Sequence, residues 1–175
     1  MKKKGFTLVE LLAVIAILAI LVIIALPNVM SLFNEAKKNS FANELKEIYK
    51  TAQNQWMTDS MINTQELYYS RTGDTTLKCD GTNNNRTLQL SGRQQLQFGI
   101  TVDKAGDVID FVATDGTYMY QFQGVSKTNV LNIENIGKET AAAETTDNAI
   151  VRLSDYNKTT ATISCTTKNF TITAS

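Results

Sequence analysis

The sequence predicts an α+β protein in which one long amino-terminal helix packs on an antiparallel β-sheet head. Three observations carry this expectation. Leu11 to Leu26 is a run of sixteen residues without a polar side chain. Beyond it, Val29, Leu32, Phe33, Ala36, Phe41, Leu45, Ile48, Tyr49, Ala52 and Trp56 recur mostly at three- and four-residue steps, the signature of a helix with one apolar face. After residue 95 the apolar spacing changes to two, as in strands with one face inward.

The first element reads as a membrane span. Phe6 to Leu26 is 21 residues, about 31 Å as a helix and enough to cross a bilayer core. A cleaved secretory signal fits poorly, because its apolar region is usually about 7–15 residues. Lys2, Lys3 and Lys4 precede the span, so the amino terminus is expected to stay cytoplasmic while the remainder crosses outward. A plain signal-anchor explains all of this except Glu10, a carboxylate one turn into the apolar helix, where it is costly unless a cation meets it.

Lys2-Lys3-Lys4-Gly5-Phe6-Thr7-Leu8-Val9-Glu10 and the apolar run behind it resemble the amino-terminal signature of type IV pilins and of the related pseudopilins of type II secretion and competence machines. The resemblance covers roughly residues 1–58 and implies a type IV pilin-like fold. It implies that a prepilin peptidase cuts between Gly5 and Phe6 and methylates the new amino group of Phe6. Residues 1–5 would then be the leader, 6–27 the transmembrane and filament-core helix, 28–58 an amphipathic continuation, and 59–175 the head, with a post-helix loop at 59–85. Glu10, Phe6 and Thr7 would serve filament assembly, and Pro27 sits at the family's usual proline position.

The residues suit those roles. Glycine before the scissile bond leaves an extended backbone free to enter a tight enzyme site. Three lysines cannot be buried in an apolar core, so the leader must be lost before assembly. Cleavage leaves an α-ammonium on Phe6, and Glu10 of a neighbouring subunit is its natural counter-ion. Such a pair is worth on the order of 4 kcal/mol before desolvation at about 4 Å and an effective dielectric near 20. Pro27, the only proline, cannot donate to the carbonyl four residues back, so the helix should kink or loosen at Ile23 to Pro27. On the other side of the helix, Asn34, Lys37, Lys38, Asn43, Lys46, Glu47, Lys50 and Asn54 form a solvated face.

Thr58 to Asn85 is polar and rich in turn signals, including Gly73-Asp74 and Asp80-Gly81, with Met61-Ile62 and Leu67-Tyr68-Tyr69 as its expected anchors to the head. Gln95 to Val102, Val108 to Ala113 and Tyr118 to Phe122 then form a three-strand antiparallel meander, its second turn marked by Asp115-Gly116. Leu88 to Leu90 adds a short strand. Val130 to Ala143 is ambiguous, its alanine-rich end fitting one short helix. Ala149 to Leu153, Thr160 to Cys165 and Asn169 to Thr173 complete the strands. One sheet laid over the apolar stripe of the helix would satisfy both.

Charge and composition exclude several functions. The 175 residues hold 17 basic and 17 acidic side chains; removing Lys2, Lys3 and Lys4 leaves 14 against 17, a net charge of −3. That balance argues against nucleic acid as a partner, and Arg86 with Arg93 makes no basic stripe. There is no histidine, so the commonest general base and the commonest metal ligand are both missing, and no catalytic, cofactor or metal site is expected. Asp80 to Asn85 is not a calcium loop: it lacks the glycine at position six, and Ser91 stands where the acidic twelfth residue would be. Asn157-Lys158-Thr159 and Asn169-Phe170-Thr171 match the glycosylation acceptor pattern but carry little weight in a bacterial surface protein.

Cys79 and Cys165 both fall in the exported head, where two thiols more often form a bridge than stay free. The resemblance implies a helical homo-oligomeric filament, with an assembly ATPase and membrane platform proteins as partners. It places the chain in the cytoplasmic membrane before assembly and in an extracellular pilus, for motility or adhesion, afterwards. The alternative within the same machinery is a minor pilin or pseudopilin of a type II secretion or DNA-uptake machine.

Overall fold

The computed structural model describes residues 6–62, 65–71, 77, 79, 84–90, 96–124, 130–143, 146–166 and 168–175. The chain divides into two compact units, Met1–Asn39 and Ser40–Ser175. A single helix, α1 (Leu8–Asp59), contributes to both. There is no glycine from Leu8 to Asp59, and the helix continues through Pro27, so the loosening expected there does not end it.

In the first unit, α1 exposes its apolar side chains. The span from Leu8 to Leu26 is long and apolar enough to cross a membrane, and none of its most apolar stretch is buried. Val29, Leu32 and Phe33, expected to lie under the head, are also more than half exposed. Within the second unit, the stripe is covered from Phe41 onward. Lys37 lies with its ammonium 4.6 Å from the centre of the Phe33 ring, a cation–π contact at the surface.

In the second unit, the described residues form a six-stranded sheet and a separate hairpin. The strands are β1 (Leu67–Arg71), β2 (Asn85–Leu88), β3 (Gln97–Val102), β4 (Val108–Thr114), β5 (Tyr118–Gln123) and β6 (Ile150–Arg152), followed by the hairpin strands β7 (Ala161–Thr166) and β8 (Asn169–Ala174). The sheet order is β2-β1-β3-β4-β5-β6; β1 and β2 are parallel, and every other neighbour pair is antiparallel. The predicted meander is present as β3, β4 and β5. Asp103 Oδ1 caps its first turn by accepting from the amides of Ala105 (2.8 Å) and Asp107 (2.9 Å). Asp115 Oδ1 caps the second, accepting from Thr117 and Tyr118, with Gly116 at φ 84° supplying the left-handed residue.

Alternation along the strands gives the sheet two covered faces. Phe98, Ile100, Val102, Phe111, Ala113, Tyr118, Tyr120 and Phe122 form a core with Phe41, Leu45, Ile48, Tyr49 and Ala52 of α1. The Phe41 and Tyr118 rings stack at 6.0 Å, and Tyr49 donates its hydroxyl to the Leu131 carbonyl at 3.0 Å. The opposite face presents Tyr68, Val112 and Met119 to Phe170 and Ile172 of β8, in a second core that includes Cys79, Ala149, Val151 and Leu153. The head is thus three layers: helix, sheet and hairpin.

Four local readings change. Leu67–Arg71 is a full strand at the second position of the sheet, not a pair of anchors in a loop, and its first four residues are all buried because both sheet faces are covered there. Met61 and Ile62 anchor nothing among the described residues; both are at least 85 % exposed. The short strand expected at Leu88 to Leu90 lies earlier, at Asn85–Leu88, held in register by β1. The alanine-rich end at Ala141 to Ala143 is not helical, and the helical turn falls at Ile133–Asn135, where Asn132 Oδ1 caps the Glu134 amide at 2.9 Å. The predicted turns at Gly73-Asp74 and Asp80-Gly81 lie outside the described residues.

Candidate assembly site at the start of the long helix

Thr7, Leu8, Val9 and Glu10 open α1 as a capping box. The Thr7 carbonyl accepts the first helical bond, from the Leu11 amide at 3.2 Å, which makes Thr7 the capping residue. Thr7 Oγ1 accepts from the Glu10 amide (3.3 Å), and Glu10 reaches back to take the Thr7 amide on Oε2 at 2.9 Å. The Thr7 hydroxyl also donates to that oxygen, at 2.8 Å. The sequence reading weighed Glu10 for its charge and Thr7 for its position but did not pair them, although the Thr-x-x-Glu spacing announces the motif.

This geometry gives Glu10 a defined place. Its carboxylate is folded over the amino-terminal end of α1, where unpaired amides and the helix dipole favour negative charge. Phe6, the residue immediately before the cap, is 85 % exposed. A positive group created on the Phe6 nitrogen would be one residue from the Thr7 amide that Glu10 already holds. Gly5 and the three lysines lie outside the described residues.

The other predicted positions are far along the chain. Pro27 lies inside α1. Cys79 and Cys165 are joined by a disulfide with their Cα atoms 5.0 Å apart, within the usual range for such a bridge. The bridge ties the segment before β2 to the end of β7 and sits in the core on the hairpin side of the sheet. No group of three or more potential metal ligands occurs among the described residues. Arg86, weighed as a nucleic-acid contact, is half-buried and faces Asp59 with Nε 3.9 Å from Oδ2. Tyr69 donates to the same carboxylate at 3.1 Å, so the end of α1 is fastened to β1 and β2 through Asp59. Burial and the Asp59 carboxylate together hold the Tyr69 phenol above its ordinary range. Arg93 lies outside the described residues.

Residues 1–26 match the prokaryotic N-terminal methylation motif. This is the class III signal of type IV pilins and pseudopilins, and it supports a protein of that family. The match ends at Leu26, short of Pro27 and of the whole head. No curated protein matches the chain, and no solved structure does. The signal implies processing by a prepilin peptidase and assembly at a membrane, and with the apolar helix it fits a membrane-anchored pilin. It points to a structural subunit rather than an enzyme. The α+β head, with α1 against an antiparallel-rich sheet, is consistent with the pilin fold.

Proposed function

We propose that the chain is a structural subunit of a type IV pilus, processed between Gly5 and Phe6, methylated on Phe6, and polymerised through the apolar half of α1 into a surface filament. The observation that carries this reading is the exposed apolar surface of α1 from Leu8 to Phe33, which begins inside the methylation motif beside a capped carboxylate. So much apolar surface needs lipid before assembly and neighbouring helices after it. Copies of the same helix offer matching surfaces, and Glu10 offers the incoming Phe6 ammonium a counter-charge held in place by Thr7. Pro27 would let the helix loosen as subunits pack.

Intact-mass measurement of sheared surface protein tests the reading. The expected chain begins at methylated Phe6 and dominates the sheared material, while Gly5→Val accumulates uncut precursor in the membrane. Glu10→Gln should be cut and inserted but enter fibres well below its expressed ratio when mixed with wild type, because each mutant position leaves one ammonium unpaired. A mature protein that still begins at Met1 would overturn the proposal. A correctly cut chain found only as a trace component of the fibre would assign it to the minor pilins instead.

A further inference from the structure

On the sheet face that the β7–β8 hairpin covers, Asp110 of β4 stands directly opposite Thr101 of β3. Asp110 is 4 % exposed and Thr101 1 %. Asp110 Oδ2 accepts the Phe170 amide of β8 at 2.5 Å, the bond that seats the hairpin on the sheet. The Phe170 carbonyl is held as well, by Gln123 Nε2 at 3.3 Å. Asp110 Oδ1 and Thr101 Oγ1, by contrast, are both buried without a hydrogen-bond partner among the described residues.

Two orphaned oxygens facing each other across one strand pair have a common remedy. Buried polar groups without partners are costly, and a carboxylate more so than a carboxylic acid. The two side chains are directly opposed, about 5 Å between Cβ atoms, and Thr101 Oγ1, a donor as well as an acceptor, can serve Oδ1 in either protonation state; what only a proton removes is the buried charge. We propose that Asp110 is a proton-operated latch for the β7–β8 hairpin: protonated, it seats the hairpin without a buried charge; ionised, it leaves a charge under the hairpin and loosens it.

The surroundings set where the latch works. Around Asp110, β3 contributes Thr101, β5 contributes Gln123, β8 contributes Phe170 and Asn169, and the turn before β6 contributes Asp147. Asp147 is the charged group acting on it, and its own Oδ1 accepts the Gln123 amide at 2.8 Å. Burial, reinforced by the Asp147 charge and opposed by the amides of Phe170 and Phe111, pushes Asp110 up to about 7. Because the folded value is raised, the stabilisation from this group is complete below the ordinary carboxylate range, near 4, and is lost as pH rises toward 7. The disulfide at Cys165 keeps the hairpin tethered when the latch opens.

Amide hydrogen exchange on the full chain in detergent micelles, corrected for intrinsic base catalysis, tests the latch. Protection of the Phe170 amide and its β8 neighbours should fall more than tenfold from pH 5.5 to 8.5, while the amides of β3 to β5 keep theirs. Asp110→Asn preserves an oxygen for the Phe170 amide and an N–H for Thr101 but cannot ionise, so its β8 protection should not change with pH. Asp147→Asn should move the midpoint to lower pH. Protection in the wild type that does not vary over this range, or an Asp110→Asn protein that keeps the wild-type dependence, would overturn the proposal. So would a carbon-13 carboxyl titration of wild-type Asp110 with a midpoint below about 5, a measurement that requires no variant to fold.

Discussion

Gly99→Ala should be among the most damaging single-methyl additions in the head. Gly99 lies in β3 under the Phe170 ring, and a Cβ built there would stand 2.5 Å from Phe170 Cε1, with Cδ1 and Cγ nearer still. Ordinary carbon contacts are about 3.5–4.0 Å, so the ring or the strand must move by about 1 Å. The ring has little room to retreat: Phe170 is fully buried, its amide is held by Asp110, its carbonyl by Gln123, and its hairpin by the bridge at Cys165. Overpacking of this kind costs about 1–3 kcal/mol. If the hairpin lifts instead, the Phe170–Asp110 hydrogen bond goes too, adding about 1–2 kcal/mol. A total of about 2–5 kcal/mol lowers the melting temperature by roughly 6–15 °C for a unit of this size. Thermal unfolding of Gly99→Ala, Phe170→Ala and the double variant forms a cycle: in the Phe170→Ala background the added methyl meets no ring and should cost less than about 0.5 kcal/mol. A Gly99→Ala protein that melts within about a degree of wild type, or one whose cost is the same in both backgrounds, would refute the packing argument.

Two further outcomes are expected. Reduction of Cys79–Cys165 frees a loop closed over a sequence separation of 86; the chain-entropy model assigns it about 4–5 kcal/mol, so the reduced head should melt roughly 12–15 °C lower, and thiol labelling of the unreduced fold at either cysteine would contradict the bridge. Thr7→Val removes the hydroxyl that both accepts the Glu10 amide and donates to its carboxylate; loss of about 1 kcal/mol of capping should speed amide exchange over Leu8 to Leu11 in micelles several-fold, and Thr7→Ser should restore it.

The legible parts of the fold were those where local pattern and tertiary role agree. In β3, β4 and β5 the alternating residues and the Asp-Gly turn point to the same meander that the sheet contains. In Leu67-Tyr68-Tyr69-Ser70 alternation is absent because the strand is covered on one face by α1 and on the other by the hairpin side, so its residues read as an anchor rather than a strand. The apolar stripe of α1 was visible from Val29 to Trp56, but periodicity says which face is apolar and not what covers it; the head covers it from Phe41, and Val29, Leu32 and Phe33 stay exposed. At the assembly site, the charge of Glu10 stood out against its apolar neighbours, while its bond to Thr7 needed the capping spacing to be read as well. The Asp110–Phe170 contact joins residues sixty apart and leaves no mark in either local sequence.

The sulfur bridge also changes what a cut can do to the exposed head. Cys79 and Cys165 enclose all of β2 to β6 and most of β7 in one covalent ring. A surface protease that hydrolyses any single peptide bond inside that ring opens the loop without releasing a fragment, because both new ends remain attached through the sulfurs. The head can be nicked and still be one molecule, with β8 and the chain terminus still fastened to α1. Releasing a fragment from within the ring takes two cuts inside it, or one cut under reducing conditions.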